Sequence, residues 1–276
     1  MSGTPLDRHA LDEHPLPPVV DGGKETKGRI LVLAGSRSVP GAALLAAMAA
    51  MRAGAGKLKI ATVESAAMAL GMAMPEAMVI GLPEADDGGF AGGVVDRIGE
   101  LAGDVDAVIA GPGVKPSASC KRIAQLLLAT ETAVALDVAF LETLEPLHNR
   151  TRSSVPVLLP NAQELAILLD CEEREVEGDP IGCGTRAAEL YRSIVLVKGI
   201  TSHVVTPGHR CWTYEGGAPG LGVSGSGDIL AGIVGGLLAR GADPLNALLW
   251  AVWLHGEAGA QLAKKVGPVG FLAREI

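Results

Sequence analysis

The sequence predicts an α/β fold in which helices cover both faces of a mostly parallel sheet. Short apolar segments alternate along the chain with longer segments of helical composition. The short segments are apolar at consecutive positions, which is typical of strands that are buried on both faces. Hydrophobic residues make up 48% of the 276 positions and charged residues 20%, so the chain can bury a large core. Together these observations favour a parallel sheet between two helical layers.

The first strand is predicted over residues 29–34, between Gly28 and Gly35. A helix of alanine, leucine and methionine follows over residues 42–53, and Gly54 is typical of a helix end. The alternation continues with strands over residues 57–63, 77–82, 107–110 and 133–137 and with helices over residues 66–73, 94–101 and 118–129.

The second half continues the pattern and then changes it. A strand over residues 157–159 precedes a helix over 161–169, which Asn161 and Glu164 are expected to cap. A helix over 185–191, a strand over 194–197 and a hairpin of residues 203–206 and 210–214 follow. The chain closes with helices over residues 229–239 and 244–265. This helical ending and the hairpin favour an open sheet over a closed eight-fold barrel.

Residues 1–27 lack periodicity and are predicted to form a loosely held N-terminal arm, whereas residues 28–276 are predicted to form one domain. The net charge of −8 disfavours a nucleic-acid partner, which would require a basic surface. No apolar run approaches the length of a membrane span, and the acidic N-terminus does not resemble a signal peptide. We therefore expect a cytoplasmic protein without a membrane partner. The four widely spaced cysteines predict buried thiols.

A glycine-rich loop, residues 216–228, precedes the helix over 229–239. Glycine lets a backbone approach a ligand closely, and a helix N-terminus favours anions, so this loop predicts a phosphate site. Asp228 fits either a general base beside that phosphate or an ordinary first-turn acid that complements the helix dipole. The spacing from Gly220 to Gly225 matches a dinucleotide fingerprint, but no βαβ unit follows it.

Several small-residue turns and one lysine follow predicted strands. Lys198 ends the strand over 194–197, and it fits either a ligand contact or a surface position. The turns at Gly35 and at Gly111-Pro-Gly113 would form a crevice if they met at one edge of the sheet. His255 is interpreted as a packing residue on an apolar helix, and the methionines from Met68 to Met78 as core residues.

The order of these motifs resembles the NAD(P)H-hydrate dehydratases, which are carbohydrate-kinase-like members of the ribokinase-like superfamily. The motifs are Leu33-Ala-Gly-Ser36, Pro40-Gly-Ala-Ala43, Gly111-Pro-Gly113, Leu136-Asp137, Pro160 to Glu164, Lys198-Gly199, Gly225-Ser-Gly-Asp228 and His255-Gly256 with Gly259. The resemblance covers residues 25–276 and implies a ribokinase-like three-layer sandwich. It also implies a repair lyase that dehydrates the S epimer of hydrated NADH or NADPH, using ADP or ATP with Mg²⁺.

The resemblance assigns roles to three groups of residues. Asp228 is implied to take the proton of the substrate hydroxyl, and the amides of Gly225, Ser226 and Gly227 to stabilise the transferred phosphoryl group. The nucleotide side comprises Lys198, Gly199, Ile200, Thr201, Ser202 and Gly227. The positions that face the hydrated dinucleotide are Ala42, Gly113, Asn161 and Asp228. No metal-ligating residue is assigned, and a homo-oligomer, such as a tetramer, is expected.

The chain departs from the family pattern mainly on the substrate side. Asn161-Ala-Gln-Glu164 replaces His-Pro-Gly-Glu, and Ala139 replaces the second aspartate of Asp-Ala-Asp. Asparagine can still form hydrogen bonds, but it cannot transfer a proton as histidine can. Two alternatives therefore stay open: an ATP-dependent kinase of a sugar or vitamin alcohol, and a nucleotide-binding protein with little catalysis.

Overall fold

One sheet of ten strands lies at the centre of the structure. The computed structural model describes residues 3–19, 21–146 and 154–276. The strands are β1 (Thr4–Pro5), β2 (Arg29–Leu33), β3 (Lys57–Val63), β4 (Ala77–Leu82), β5 (Ala107–Ala110), β6 (Ala133–Leu136), β7 (Val157–Leu158), β8 (Ile194–Val197), β9 (Ser202–Val205) and β10 (Cys211–Tyr214). Their order is β1-β10-β9-β8-β7-β6-β5-β2-β3-β4, and within it β9 runs antiparallel to both of its neighbours. The predicted, mostly parallel sheet and the hairpin are confirmed.

Eleven α-helices accompany the sheet in the described ranges. They are α1 (Arg8–Asp12), α2 (Gly41–Arg52), α3 (Glu64–Ala73), α4 (Val95–Gly103), α5 (Ala118–Leu127), α6 (Ala139–Glu142), α7 (Ala162–Leu169), α8 (Glu173–Gly178), α9 (Pro180–Leu190), α10 (Ser226–Ala239) and α11 (Pro244–Lys265). Helix α10 packs against α2 and α11 and against strands β2, β5 and β6, whereas α4 packs with α5, and α7 with α8 and α9. Because every residue of β5 is buried, both faces of the sheet are covered, as a three-layer arrangement requires.

The N-terminal segment packs onto the domain. Strand β1 extends the sheet beside β10, and the Leu6 amide donates to the Thr213 carbonyl at 2.7 Å. Leu11 is buried in the core, and the Trp250 indole donates to the His14 carbonyl at 2.8 Å. Loose attachment is therefore wrong for residues 4–14, whereas residues 21–27 are exposed and residues 1, 2 and 20 lie outside the described ranges. The apolar positions of this segment are too few to form a recognisable period.

Helices α6, α8 and α9 are among those that differ from the predicted pattern. Helices α6 and α8 were not expected, because four and six residues are too few to show helical periodicity. Helix α9 begins at Pro180 rather than at residue 185, since the Asp179 carboxylate caps it by accepting from the Gly182 amide at 2.9 Å.

The methionines of α3 and β4 are mostly exposed, so their interpretation as core residues is wrong. Met68 and Met72 are each more than 80% exposed on α3, and Met78 is 58% exposed on the edge strand β4. Met74 alone of this run is fully buried. The buried positions of α3 are Ala66 and Leu70 instead.

The parallel strands place the loops of the predicted motifs at one edge of the sheet. The loops after β2, β5, β6, β7 and β8 all leave from carboxyl ends, where open α/β sheets bind ligands. The order β8-β7-β6-β5-β2 makes these loops direct neighbours.

Candidate active site

The turns after β2 and β5 contact each other at this edge of the sheet. The Gly35 amide donates to the Pro112 carbonyl at 2.8 Å. Gly113 has a φ of +64°, and a Cβ on it would lie 2.6 Å from the Ala42 Cβ, so only glycine fits against the start of α2. The structure therefore brings Ala42 and Gly113 together, as expected for two residues that face the same ligand.

A buried charge cluster lies beside these turns, where β6, β7 and β8 end. The Lys198 ammonium lies 2.8 Å from Asp137 Oδ1 and 3.6 Å from Glu164 Oε2. Asp137 is only 1% exposed, so this lysine is not the surface residue that the sequence left possible. Burial acts to lower the pKa of Lys198, but the charges of Asp137 and Glu164 outweigh it, so the pKa is raised and the ammonium is retained.

Asn161 and Glu164 form the predicted capping box at the start of α7. The Asn161 side chain accepts from the Glu164 amide at 2.8 Å, and Glu164 accepts from the Asn161 amide at 2.9 Å. Asn161 also pairs with Lys198 through a short parallel bridge. Burial raises the pKa of the Glu164 carboxyl, with Lys198 opposing that rise and Asp137 adding to it. Asn161 is thereby fixed next to the charge cluster.

The N-terminus of α10 faces the same cluster. Gly225 precedes the helix with a φ of +90°, and a Cβ on it would lie 2.5 Å from Leu45 Cδ1. A Cβ on Gly227 would meet only the Lys198 ammonium, at 3.9 Å. Open space therefore lies between the first turn of α10 and Lys198, on the side where a helix N-terminus attracts anions.

The amides of this first turn are not all equivalent. The Ser226 amide donates to the Val223 carbonyl at 3.1 Å, which differs from the prediction that it contacts a phosphoryl group. In the described structure the amides of Gly225, Gly227 and Asp228 have no protein acceptor. These three N–H groups are the donors that the helix start offers to a ligand.

Asp228 has the environment of a base that works near neutral pH. It occupies the third position of α10, and its Oδ2 lies 3.9 Å from the position that a Cβ on Gly225 would take. Burial raises the pKa of Asp228 from 3.8 to about 6. The charge of Asp137 adds to this rise, and the charge of Lys198 opposes it. A carboxylate with that pKa is ionised at neutral pH and more basic than an ordinary aspartate, as general-base catalysis requires.

His255 adjoins this site as a half-buried, hydrogen-bonded histidine, in agreement with its interpretation as a packing residue. Its Nε2 lies 3.0 Å from Ser226 Oγ and 3.2 Å from the Ser226 carbonyl oxygen. Burial lowers the pKa of this imidazole from 6.5 to about 4, so it is neutral at pH 7. An apolar helix gives no sign of this contact, since α11 reaches the start of α10 only in the folded chain.

The loop after Lys198 forms the rim of the open space. Thr201 lies in the turn to β9, and the hydroxyl of Ser202, the first residue of β9, donates to the Gly199 carbonyl at 3.4 Å. Ile200 is fully exposed, an unusual position for a large apolar side chain. The predicted contacts of these residues with a nucleotide stay predictions.

The described part of the chain shows neither a preformed metal centre nor a membrane helix. Within residues 3–19, 21–146 and 154–276, no three His, Cys, Asp or Glu side chains are placed to hold a metal ion. In the same ranges, no helix has both the length and the apolar character needed to cross a bilayer. The four cysteines are free thiols.

A separate apolar cavity of about 240 Å³ lies between α2, α10 and α11. Ile229 and Ile233 form part of its lining, and Arg52 and Arg274 contribute its charged groups. Its lining contains none of the carboxylates described above.

The chain resembles known proteins of one family. A family model described as NAD(P)H-hydrate dehydratase matches residues 30–276. A protein of Xanthomonas campestris named ADP-dependent (S)-NAD(P)H-hydrate dehydratase is 44% identical over 268 residues, which cover 97% of this chain and 91% of the relative. The chain spans about half the length of the bifunctional NAD(P)H-hydrate repair enzymes that it also matches.

Solved structures show the same fold. An ADP/ATP-dependent NAD(P)H-hydrate dehydratase of Bacillus subtilis, co-crystallised with ATP and Mg²⁺, has a TM-score of 0.85 at 27% identity, covering 100% of this chain and 95% of that one. A ribokinase-like protein of Enterococcus faecalis has a TM-score of 0.80 at 23% identity, covering 99% and 92%, and supports the fold alone. The predicted ribokinase-like fold is confirmed.

Proposed function

The chain belongs to the NAD(P)H-hydrate dehydratase family, and from that premise we propose that it uses ADP to dehydrate the S epimer of hydrated NADH and NADPH, giving AMP and phosphate. One observation carries the proposal: unpartnered amides at the start of α10 lie beside a carboxylate whose pKa is about 6 and a buried ammonium. This set of groups can activate a hydroxyl and stabilise a phosphoryl group in one place.

The chemistry begins at the hydroxyl that hydration adds to C6 of the nicotinamide ring. Asp228 accepts the proton of this hydroxyl. At the same time the hydroxyl oxygen bonds to the β-phosphorus of ADP, and AMP leaves. The phosphate then leaves C6 as the ring nitrogen supplies electrons, and loss of a proton from C5 restores the reduced nicotinamide. Phosphorylation is needed because hydroxide is a poor leaving group.

The α10 amides and Lys198 stabilise the charge that develops during transfer. The Gly227 and Asp228 amides are fixed by the helix, so they need no reorganisation when the phosphoryl group moves. Lys198 is fixed by Asp137 and Glu164 and faces Gly227, where a nucleotide phosphate would lie. Gly199 to Ser202 extend this side toward the rest of the nucleotide.

The hydrated dinucleotide would occupy the other side of the open space. Ala42 and Gly113 form a closely packed wall there, and Asn161 is fixed by its capping box. A small wall leaves room for a ring, and the Asn161 amide can form hydrogen bonds without changing charge. These features support the predicted substrate-facing positions despite the loss of the family histidine.

Mg²⁺ is proposed to accompany the nucleotide. Asp137 and Glu164 supply carboxylate oxygens next to the phosphate side, and oxygen is the donor that Mg²⁺ prefers. Mg²⁺ commonly binds through substrate phosphates, waters and one or two carboxylates, so a preformed cage is not required. When bound, the ion would neutralise phosphate charge.

The assay uses the purified protein with hydrated NADH and either ADP or ATP. We expect recovery of the absorbance of reduced nicotinamide, with release of AMP when ADP is supplied. An Asp228→Asn variant should lose this activity but keep nucleotide binding, and Glu64→Gln, which removes an exposed first-turn acid on α3, serves as the matched control. Lack of recovery with both nucleotides contradicts the proposal.

The same assay separates the alternatives. A stable phosphorylated product without elimination would indicate the kinase, and nucleotide binding without turnover would indicate the non-catalytic protein. A cytoplasmic location and a homo-oligomer, with four copies as the expected number, are also proposed. Light scattering of the purified protein tests the oligomer.

A further inference from the structure

Ser226 and His255 form a buried polar contact at the start of α10. Ser226 is 6% exposed, and its Oγ lies 3.0 Å from His255 Nε2. Among the described residues, His255 is the side chain in hydrogen-bond contact with this hydroxyl. The contact joins α11 to the first residue of α10, next to the unpartnered Gly227 amide.

The carbonyl oxygen of Ser226 determines which His255 nitrogen carries the proton. This oxygen lies 3.2 Å from the same Nε2 and can only accept a hydrogen bond. A lone pair on Nε2 would face the lone pairs of the carbonyl, so the neutral imidazole carries its proton on Nε2. The imidazole then donates to Ser226, and the Ser226 hydroxyl oxygen acts as the acceptor.

This arrangement leaves the hydroxyl proton of Ser226 available. Because His255 donates to Oγ, the Ser226 O–H must donate to something else. The Ser226 amide is already bound to Val223, so the residue can contribute to a ligand only through its side chain. The open space beside Gly227 lies next to it.

We propose that the Ser226 hydroxyl donates a hydrogen bond to the transferred phosphoryl group, and that His255 is a positioning residue that holds this hydroxyl in its donor orientation. The proposal rests on the proposed function, because it supposes that a phosphoryl group occupies this space. It adds a side-chain donor to the amides of Gly225, Gly227 and Asp228. Such a donor is fixed before reaction and strengthens as charge develops.

Kinetics of four variants test the proposal. Ser226→Ala and His255→Leu should each lower kcat by about 100- to 1000-fold, the effect of losing one fixed donor. The Kd for the nucleotide should change by less than about threefold, because the effect belongs to the transition state. The double variant should be no slower than either single variant, and His255→Gln, which keeps an N–H donor at the ε position, should recover most of kcat.

His203→Leu is the matched control. His203 is also buried, and its Nδ1 lies 3.0 Å from the Thr213 hydroxyl across the β9–β10 hairpin. This variant loses a histidine–hydroxyl contact of the same length and should keep kcat. If His203→Leu lowers kcat as much as His255→Leu does, the effect is a general loss of packing and the proposal is wrong.

The outcomes separate this proposal from the proposed function. Suppose that the wild type is active, that Asp228→Asn abolishes the activity, and that Ser226→Ala keeps full kcat. This result would overturn the role of the Ser226 hydroxyl and leave the proposed function intact. Rate losses that multiply in the double variant would overturn the link between His255 and Ser226. The tautomer is tested without turnover by ¹⁵N NMR of labelled histidine, with the His255 signals identified by their absence in His255→Gln. Protonation on Nδ1 would contradict the proposal even if the protein proved inactive.

Discussion

Replacement of Asp228 by asparagine should make the protein inactive and more stable at the same time. Asparagine has nearly the same shape, but it cannot accept the substrate proton or carry charge. Loss of general-base catalysis should lower kcat by at least about 100-fold. Stability should increase because the buried carboxylate is held at a free-energy cost that the amide does not have.

The size of the stability gain follows from the pKa. A rise from 3.8 to about 6 corresponds to about 3 kcal/mol, since each unit of pKa is about 1.4 kcal/mol. The carboxylate is partly exposed, and screening by solvent reduces this figure. We therefore expect Asp228→Asn to raise the free energy of unfolding by about 1–3 kcal/mol at neutral pH.

The stability difference between Asp228→Asn and wild type should depend on pH with a definite sign. Below pH 3.8 the carboxyl is protonated in both folded and unfolded states, so the variant gains nothing. From pH 3.8 to about 6 the unfolded chain releases the proton while the folded protein keeps it, so the wild type loses stability as the pH rises. Above about pH 6 the difference between variant and wild type is constant.

Urea unfolding of both proteins at several pH values gives this difference. His255 acts in the opposite direction, because its pKa is lowered from 6.5 to about 4 and its contribution is lost as the pH falls over that range. Subtracting the wild-type curve removes this term. A variant that is no more stable than wild type at neutral pH, or a difference that does not depend on pH, would refute the assignment of Asp228 as a buried, strongly basic carboxylate.

The remaining predictions concern the glycines and the nucleotide side. Gly227→Ala should change the free energy of unfolding by less than about 1 kcal/mol but weaken nucleotide binding about tenfold. Gly225→Ala, at a φ of +90°, should lower the free energy of unfolding by about 1–3 kcal/mol. Urea unfolding measures the stability of both variants, and calorimetric titration measures nucleotide binding. Lys198→Met should cost about 3–5 kcal/mol, because it leaves Asp137 buried without its cation, and a Tm unchanged from wild type would contradict this. Ile200→Ser should leave the Tm unchanged, since the Ile200 side chain is fully exposed. It should raise the KM for the nucleotide about tenfold if the base packs on this side chain. An unchanged KM would show that Ile200 does not belong to the site.

The sheet and the long helices could be predicted because their residues carry the pattern locally. Strand β2 is apolar at consecutive positions between two glycines, and that pattern needs no knowledge of its neighbours. The start of α10 cannot be predicted from such a local pattern. The sequence predicts a helix from residue 229, but the helix begins at Ser226, because Gly225 adopts a left-handed conformation that composition does not specify. Asp228 is therefore the third residue of the helix.

The side-chain contacts of the site depend on strand order, which the sequence does not show. Lys198 and Asp137 are 61 positions apart, and each alone fits an ordinary turn residue. They meet because β6, β7 and β8 are adjacent and end at the same edge of the sheet. The contact between His255 and Ser226 has the same origin, since it depends on α11 packing against α10. The resemblance to a family supplied the roles of individual residues where these contacts could not be foreseen.

The charge of the site explains why a cation should accompany the nucleotide. With Asp228 ionised, three carboxylates face one ammonium, so the formal charge of this cluster is 1 − 3 = −2. A diphosphate is itself an anion, and the partial positive charge of one helix N-terminus, about half a unit, cannot offset both. Binding therefore requires either protonation of Glu164 and Asp228, whose pKa values are both raised, or an added cation. Protonation of Asp228 would remove the proposed base, so we expect turnover near neutral pH to depend on the cation. Nucleotide affinity should accordingly fall on removal of Mg²⁺ with a chelator, and this dependence should weaken in Glu164→Gln; affinity that is indifferent to Mg²⁺ would contradict the argument.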